Sequence, residues 1–293
     1  MTCEMRSRQR VDNGTQSELA AGRPQIAGRS PGRLSGANFK IWAIRMGVIG
    51  SFLLLWEVAA REQWISPIYI GQPTLIAGAF IDLLRGPVLT TDLPTTLIET
   101  ALGFAIGSTT GVVGGLIFAR FELLHEALRS LLTALNSLPR VALAPLFIIW
   151  FGHGIPSKVA LAASLVFFIV LLSTIAALTQ TDRDITLLAR SMGATEFQRL
   201  LKFVLPGAVP TLVAGLELGL VYSFLGAVVG EIIGGQHGLG VVLTFDANVF
   251  KTNEFFATLF LLAIVTTGLT SLVRVGERRI LRWHYVEMRG ARS

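Results

Sequence analysis

Six apolar runs, each close to the length of a membrane-crossing helix, leave this chain few ways to fold. They cover about 41–60, 95–119, 128–151, 158–178, 212–233 and 255–275. A bilayer core of about 30 Å needs about 20 consecutive apolar residues in a helix. Water is absent there, so backbone N–H and C=O groups must pair within the segment, and runs of this length do so as helices. Composition agrees: 52% of the 293 residues are hydrophobic and 15% are charged, against about 25% charged in a soluble domain. The mean hydropathy is +0.62. The expected fold is all-α, a polytopic membrane protein with about six transmembrane helices. Residues 1–40 hold Arg, Gly, Ser and Gln without an apolar run. They read as a disordered basic tail whose arginines can touch anionic lipid, and they lack the apolar core of a signal peptide. The membrane domain is expected over 41–293, with a core of about 95–275 and a polar loop at about 179–210.

Positive charge sets the orientation, because Lys and Arg stay on the cytoplasmic side. With the N-terminus inside, the inner segments hold every Lys and Arg except Arg61, Arg85, Arg140, Lys158 and Lys251. Both termini and the loop Asp184–Pro210 are therefore expected to be cytoplasmic. The net charge of +6 follows from this bias and needs no nucleic acid to explain it. The single cysteine, Cys3, cannot form an intrachain disulfide.

The loop Asp184–Pro210 is a polar, basic island between two apolar runs. Ile185, Leu188, Met192, Leu200 and Val204 recur at roughly helical spacing, with Arg190, Glu196, Arg199 and Lys202 between them. Ala189 and Gly193 are four apart, so on a helix they share one face and form a shallow notch. Leu205-Pro206 should stop that helix, since Pro206 lacks an N–H and disfavours helix in the residue before it. Spacing alone fits an amphipathic connector on the bilayer surface as well as a docking element.

Within the third run, Pro139 and Pro145 should kink or break the helix, and Arg140 lies near its middle. An Arg at a helix centre costs about 2.5–3.5 kcal/mol on insertion scales. An acidic partner, a water-filled cavity or an anionic ligand should offset it. Asn136, four residues earlier, and Glu231, near the end of the fifth run, complete a candidate polar path. Glu217 and Glu231 lie on similar helix faces but about 21 Å apart along the axis, so Glu217 is expected to pair with the basic loop. Small residues recur every four positions at Gly103, Gly107, Gly111 and Gly115, and again at Gly215, Gly219, Ser223 and Ala227. Such stripes let membrane helices approach closely. They serve either packing within the chain or an interface between subunits.

No lysine follows a glycine, which excludes the Gly-Lys-Ser/Thr phosphate loop. There is no His-Glu-x-x-His or Gly-x-Ser-x-Gly, and the four histidines lack metal-ligand spacing. No cofactor or metal is expected.

The segment Ala189-Arg190-Ser191-Met192-Gly193-Ala194, followed by Leu205-Pro206, Pro210, Gly215 and Gly219, resembles the cytoplasmic loop of membrane subunits of binding-protein-dependent ABC importers. Leu187 and Leu188 stand where that pattern usually has Glu and the first Ala. Leu138-Pro139-Arg140 through Gly152, and Glu231 with Gly238-Leu239-Gly240, resemble the nitrate/sulfonate/taurine branch of these permeases. The resemblance runs from about Thr95 to Trp283. It implies a type I ABC importer permease fold in a bacterial inner (plasma) membrane. It further implies a permease homodimer, two copies of a separate ABC ATPase subunit, and a periplasmic or lipid-anchored solute-binding protein. ATPase coupling would fall to Ala189, Arg190, Gly193, Ala194, Leu205 and Pro206, and the translocation path for a small anionic solute to Asn136, Arg140 and Glu231. Two alternatives stay open. A membrane-embedded enzyme would bring Arg140, Glu217 and Glu231 together. A secondary transporter should carry an internal repeat, and none is visible.

Overall fold

A computed structural model gives the fold and describes residues 34–179, 191–199, 202 and 204–280. Every regular element among them is helical. The described residues fall into two units, one ending at Leu55 and the other beginning at Trp56. Most of α1 (Leu34–Arg61) lies in the first. The second holds α2 (Pro67–Ile70), α3 (Pro73–Arg85), α4 (Asp92–Arg120), α5 (Glu122–Ser137), α6 (Ala144–Phe151), α7 (Ile155–Thr179), α8 (Glu196–Arg199), α9 (Leu205–Gly234), α10 (Leu239–Asn248) and α11 (Thr252–Ile280).

Among the described residues, five stretches are long and apolar enough to cross a membrane: Ile41–Arg61, Pro87–Arg120, Ile155–Thr179, Leu205–Gly234 and Thr252–Gly276. The expected span over 128–151 is different. Leu123–Ser137 and Arg140–Phe151 meet at 76°. Pro139 is the cause. It has no N–H to continue the helix, and Leu138 before it is extended, at φ −65° and ψ 132°. Pro145 does not break the chain again. It sits in the first turn of α6, where a missing N–H leaves no bond unmade.

The core is built on α7. Both α4 and α9 pack along it, and they also touch each other. The glycine face of α4 makes the first contact possible: Gly103, Gly107, Gly111 and Gly115 are all buried. A Cβ on Gly107 would lie 2.6 Å from Val166 Cβ and 2.7 Å from the Ala163 carbonyl oxygen. On α9, a Cβ on Gly226 would lie 2.8 Å from Ala162 Cα, and one on Gly215 2.4 Å from Ser173 Cβ. The two stripes therefore serve packing inside the chain. Lipid tails are as apolar as side chains, so burial alone does not hold these helices together. Close van der Waals contact and interhelical hydrogen bonds do. One such bond runs from the Ser223 hydroxyl to the Thr100 carbonyl oxygen, at 2.7 Å, and ties α9 to α4. The opposite face of α4 carries Ile98, Leu102 and Ile106, all exposed. That is the surface a lipid or another apolar helix covers.

At the far end of α7, Ala177 and Leu178 pack on Val204 and Ala208, with Ala119 and Leu212 against them. The segment between α7 and α9 thus leaves from and returns to one small apolar cluster. Glu217 pairs with Arg274 of α11 at 2.6 Å, so its described partner is on a neighbouring helix and not in the loop.

Candidate functional site

The turn Gly234–Gly238 leads into α10, whose first N–H groups have no partner within the helix. Side chains from two other helices satisfy three in succession. The Gly238 N–H donates to Asp92 Oδ1 at 2.9 Å, Leu239 to Thr96 Oγ1 at 2.9 Å, and Gly240 to Glu231 Oε2 at 2.7 Å. The Thr96 hydroxyl in turn donates to Glu231 Oε1 at 2.6 Å. Asp92 and Thr96 are one turn apart on α4, and Glu231 comes from the last turn of α9. Two carboxyl groups at a helix N-terminus also complement its partial positive charge. Gly238 is needed here twice over. Its φ is +121°, and a Cβ would lie 2.2 Å from Glu231 Cδ. Glu231 is therefore a 1% exposed brace between three helices in this conformation.

Two more charged residues are buried beside it. Glu99, also 1% exposed, faces Glu231, and its Oε2 has no hydrogen-bond partner. Lys158, 3% exposed, lies within electrostatic reach of both acids. Its ammonium donates to the carbonyl oxygens of His153 and Gly154. Lys158 was an exception to the charge bias because it is not a loop cation at all. Glu99 escaped the sequence reading, although an acid inside an apolar run is itself a signal.

Arg140 sits at the break between α5 and α6. Its Nη2 donates to Asn136 Oδ1 at 2.9 Å and to the Asn136 carbonyl oxygen at 3.2 Å. Its guanidinium carbon lies 4.1 Å from the centre of the Phe168 ring on α7. Among the described residues it has no acidic partner, and its buried Nε–H has no acceptor. The compensation is thus a cation–π contact plus carbonyl oxygens freed by the break. Asn136 and Arg140 are brought together, whereas Glu217 and Glu231 are held in separate contacts. Arg140, Glu217 and Glu231, which the enzyme alternative would bring together, therefore lie in three separate contacts.

Of the loop residues, Ala189 and Arg190 lie outside the described residues. Gly193 is in a turn with φ +73°, which favours glycine and is not helical. The expected continuous helix is therefore interrupted at Gly193. It restarts at Thr195, whose hydroxyl accepts from the Gln198 N–H at 3.3 Å while its own N–H donates to Gln198 Oε1 at 3.0 Å. This reciprocal cap is written in the sequence as Thr-x-x-Gln. Ala194, half-buried, precedes it. Leu205 and Pro206 open α9, and Lys202 and Val204 just before them are already helical, so Pro206 sits in the first turn of a helix and does not stop one as expected.

Residues 107–282 match the family described as binding-protein-dependent transport system inner membrane component. The chain belongs to this family. It is 33% identical over 231 residues to the riboflavin transport system permease protein RibX of Chloroflexus aurantiacus, covering 79% of this chain and 86% of that one. It is 29% identical to the putative aliphatic sulfonates transport permease protein SsuC of Bacillus subtilis, over 92% of this chain and 97% of the relative. Identity to the taurine transport system permease protein TauC of Escherichia coli is 26%, over 82% and 90%. The fold is similar to that of a chain in an inward-facing structure of the MetNI methionine ABC transporter, with a TM-score of 0.55 at 22% identity, over 68% of this chain and 94% of the other. The chain is accordingly a multi-pass permease subunit of an ABC importer, a transport chain and not an enzyme.

Proposed function

We propose that this permease forms the path for a small anionic solute of the sulfonate class in a bacterial inner membrane. The carrying observation is Arg140, a guanidinium without an acidic partner at a break between apolar helices, with one N–H still unpaired. A sulfonate or carboxylate oxygen is the acceptor that such a donor lacks. Asn136, bonded to Arg140, shares that surface. Two copies complete the path. The loop end faces the cytoplasm, and Ala189, Arg190, Gly193, Ala194, Leu205 and Pro206 dock an ABC ATPase, two copies per importer. A solute-binding protein delivers solute at the opposite end. The anchoring of the loop to one apolar cluster lets movement of a docked ATPase reach α7 and α9.

Uptake by membrane vesicles holding the full complex tests this. ATP-dependent uptake of labelled taurine or an alkanesulfonate is expected. Arg140→Ala should lower it at least about tenfold, the loss of one charged hydrogen bond, with assembled complex unchanged. Uptake that is normal in this variant overturns the role of Arg140. A second reading, a flat heterocyclic solute, is favoured by the 33% identity to a riboflavin permease. Uptake of riboflavin without sulfonate uptake would establish it instead.

Docking is tested by co-purifying the ATPase with loop variants. Among the described residues no atom lies within 4 Å of a Cβ added at Gly193, so added bulk meets none of them, and the cost of a side chain there is the backbone strain of φ +73°. Gly193→Asn, which tolerates a left-handed backbone, should retain the ATPase. Gly193→Trp should lose it while inserting and assembling normally. Retention of the ATPase and parental transport by Gly193→Trp would reduce the loop to a surface connector.

A further inference from the structure

At the end of the molecule where α4 and α11 begin, a cavity of about 560 Å³ opens between α3, α10 and the first turn of α11. Thr74, Gly78 and Asp82 recur every four residues along one stripe of α3 and form one wall. A Cβ on Gly78 would meet nothing within 4 Å, so the space beside it is open. Asp82, Asp246 and Glu254 bring three carboxyl groups to the lining. Asp246 is the unusual one. It is only 6% exposed, lines the cavity, and has neither a hydrogen bond nor an ion pair to its carboxylate among the described residues. A buried carboxylate without a partner is costly. Burial pushes its carboxyl above the usual carboxylate range, the Glu254 carboxylate pushes the same way, and Lys251 opposes them. Lys251 is exposed and does not close an ion pair with it. The Asn253 side-chain oxygen is already taken by the Gln72 N–H at 2.9 Å.

We infer that this acidic cavity receives a lysine or arginine side chain of the solute-binding protein. Three carboxyl groups, one of them deep and unpartnered, complement a guanidinium or ammonium group carried on an apolar stem. The cavity walls offer that stem Leu75, Ala79, Leu83 and Val242. The inference rests on the reading that a binding protein docks at the end opposite the loop. An inserted cation would fix the orientation of the docked protein. It would also bridge α3, α10 and α11, elements that lead directly into membrane spans.

The test measures uptake by the complete importer in proteoliposomes as its binding protein is titrated. Asp246→Asn keeps the shape and removes the charge. It should raise the binding-protein concentration for half-maximal uptake at least about tenfold, as for a partly buried charge pair, and leave maximal uptake near parental. Gly78→Leu, which fills the cavity, should act the same way. Asp82→Asn, at an exposed position, reads the same contact and raises the half-saturating concentration even if Asp246→Asn assembles poorly. An unchanged half-saturating concentration in Gly78→Leu and Asp82→Asn overturns the inference, as does a fall in maximal uptake alone. A cavity that holds a free cation gives that unchanged value. Uptake by the parental complex that ignores the binding protein overturns the reading that a binding protein docks at this end, and this inference with it.

Discussion

Glu231 holds its place through two acceptor oxygens, one taken by Thr96 and one by the Gly240 N–H. A glutamine offers only one oxygen, and its NH₂ would face a donor. Glu231→Gln is therefore expected to lower the stability of the purified permease by about 1–3 kcal/mol, read as a drop in apparent Tm. Glu99→Gln differs in sign. It keeps the shape of Glu99 and removes one of two acids that face each other in the core, so its Tm should equal or exceed the parental one. Gly238→Ala should fail more severely than either, because both its φ and the Glu231 carboxyl oppose a side chain. At Gly193 the turn reverses an expectation that follows from a helical reading. Alanine in a helix would be about 1 kcal/mol better than glycine. At φ +73° it should instead cost about 1–2 kcal/mol, seen as faster proteolysis of the loop in Gly193→Ala than in Gly193→Asn.

The contact of α4 with α7 gives a comparison within one helix. Gly107 would press a Cβ on the Ala163 backbone oxygen at 2.7 Å, an atom that cannot rotate away. Gly114 would meet Leu171 Cδ1 at 3.0 Å, the tip of a flexible side chain, and Phe167 Cε2 at an ordinary 3.7 Å. Gly107→Ala is expected to destabilise by about 1–3 kcal/mol. Gly114→Ala should be near neutral, because helix propensity favours alanine. Equal Tm values for the two would mean that the spacing of α4 from α7 is not set by these glycines. The stripe itself was plain in the sequence, but not the helix it faces. Every small-residue stripe looks alike until its partner is known, and here α7 is flanked by two of them. The break at Pro139 was legible because proline acts locally. The interruption at Gly193 was not, since glycine fits both a helix interior and a left-handed turn.

Over the whole molecule, charge bias predicts the loop end in the cytoplasm and the Gly234–Gly238 turn outside. A topology reporter after Ser293 should be active inside, and one at Gly235 outside. Cytoplasmic activity at Gly235 would sink this arrangement, and with it the delivery of solute at that end.

The sequence alone settles that the chain is helical and crosses a membrane repeatedly, because the absence of water forces each long apolar run to close its own hydrogen bonds. It also carries the loop frame and the proline break, since both are local. Tertiary structure alone decides what the buried charges do. Asp92 and Thr96, one turn apart on α4, are far from Glu231 in the chain, yet all three converge on three N–H groups of α10. Arg140 finds Phe168 on another helix, and Asp246 is left facing a cavity. Hydrophobic periodicity reports which residues avoid water. Which polar group meets which depends on how helices of similar apolar surface pack, and that is set by side-chain fit across the whole bundle.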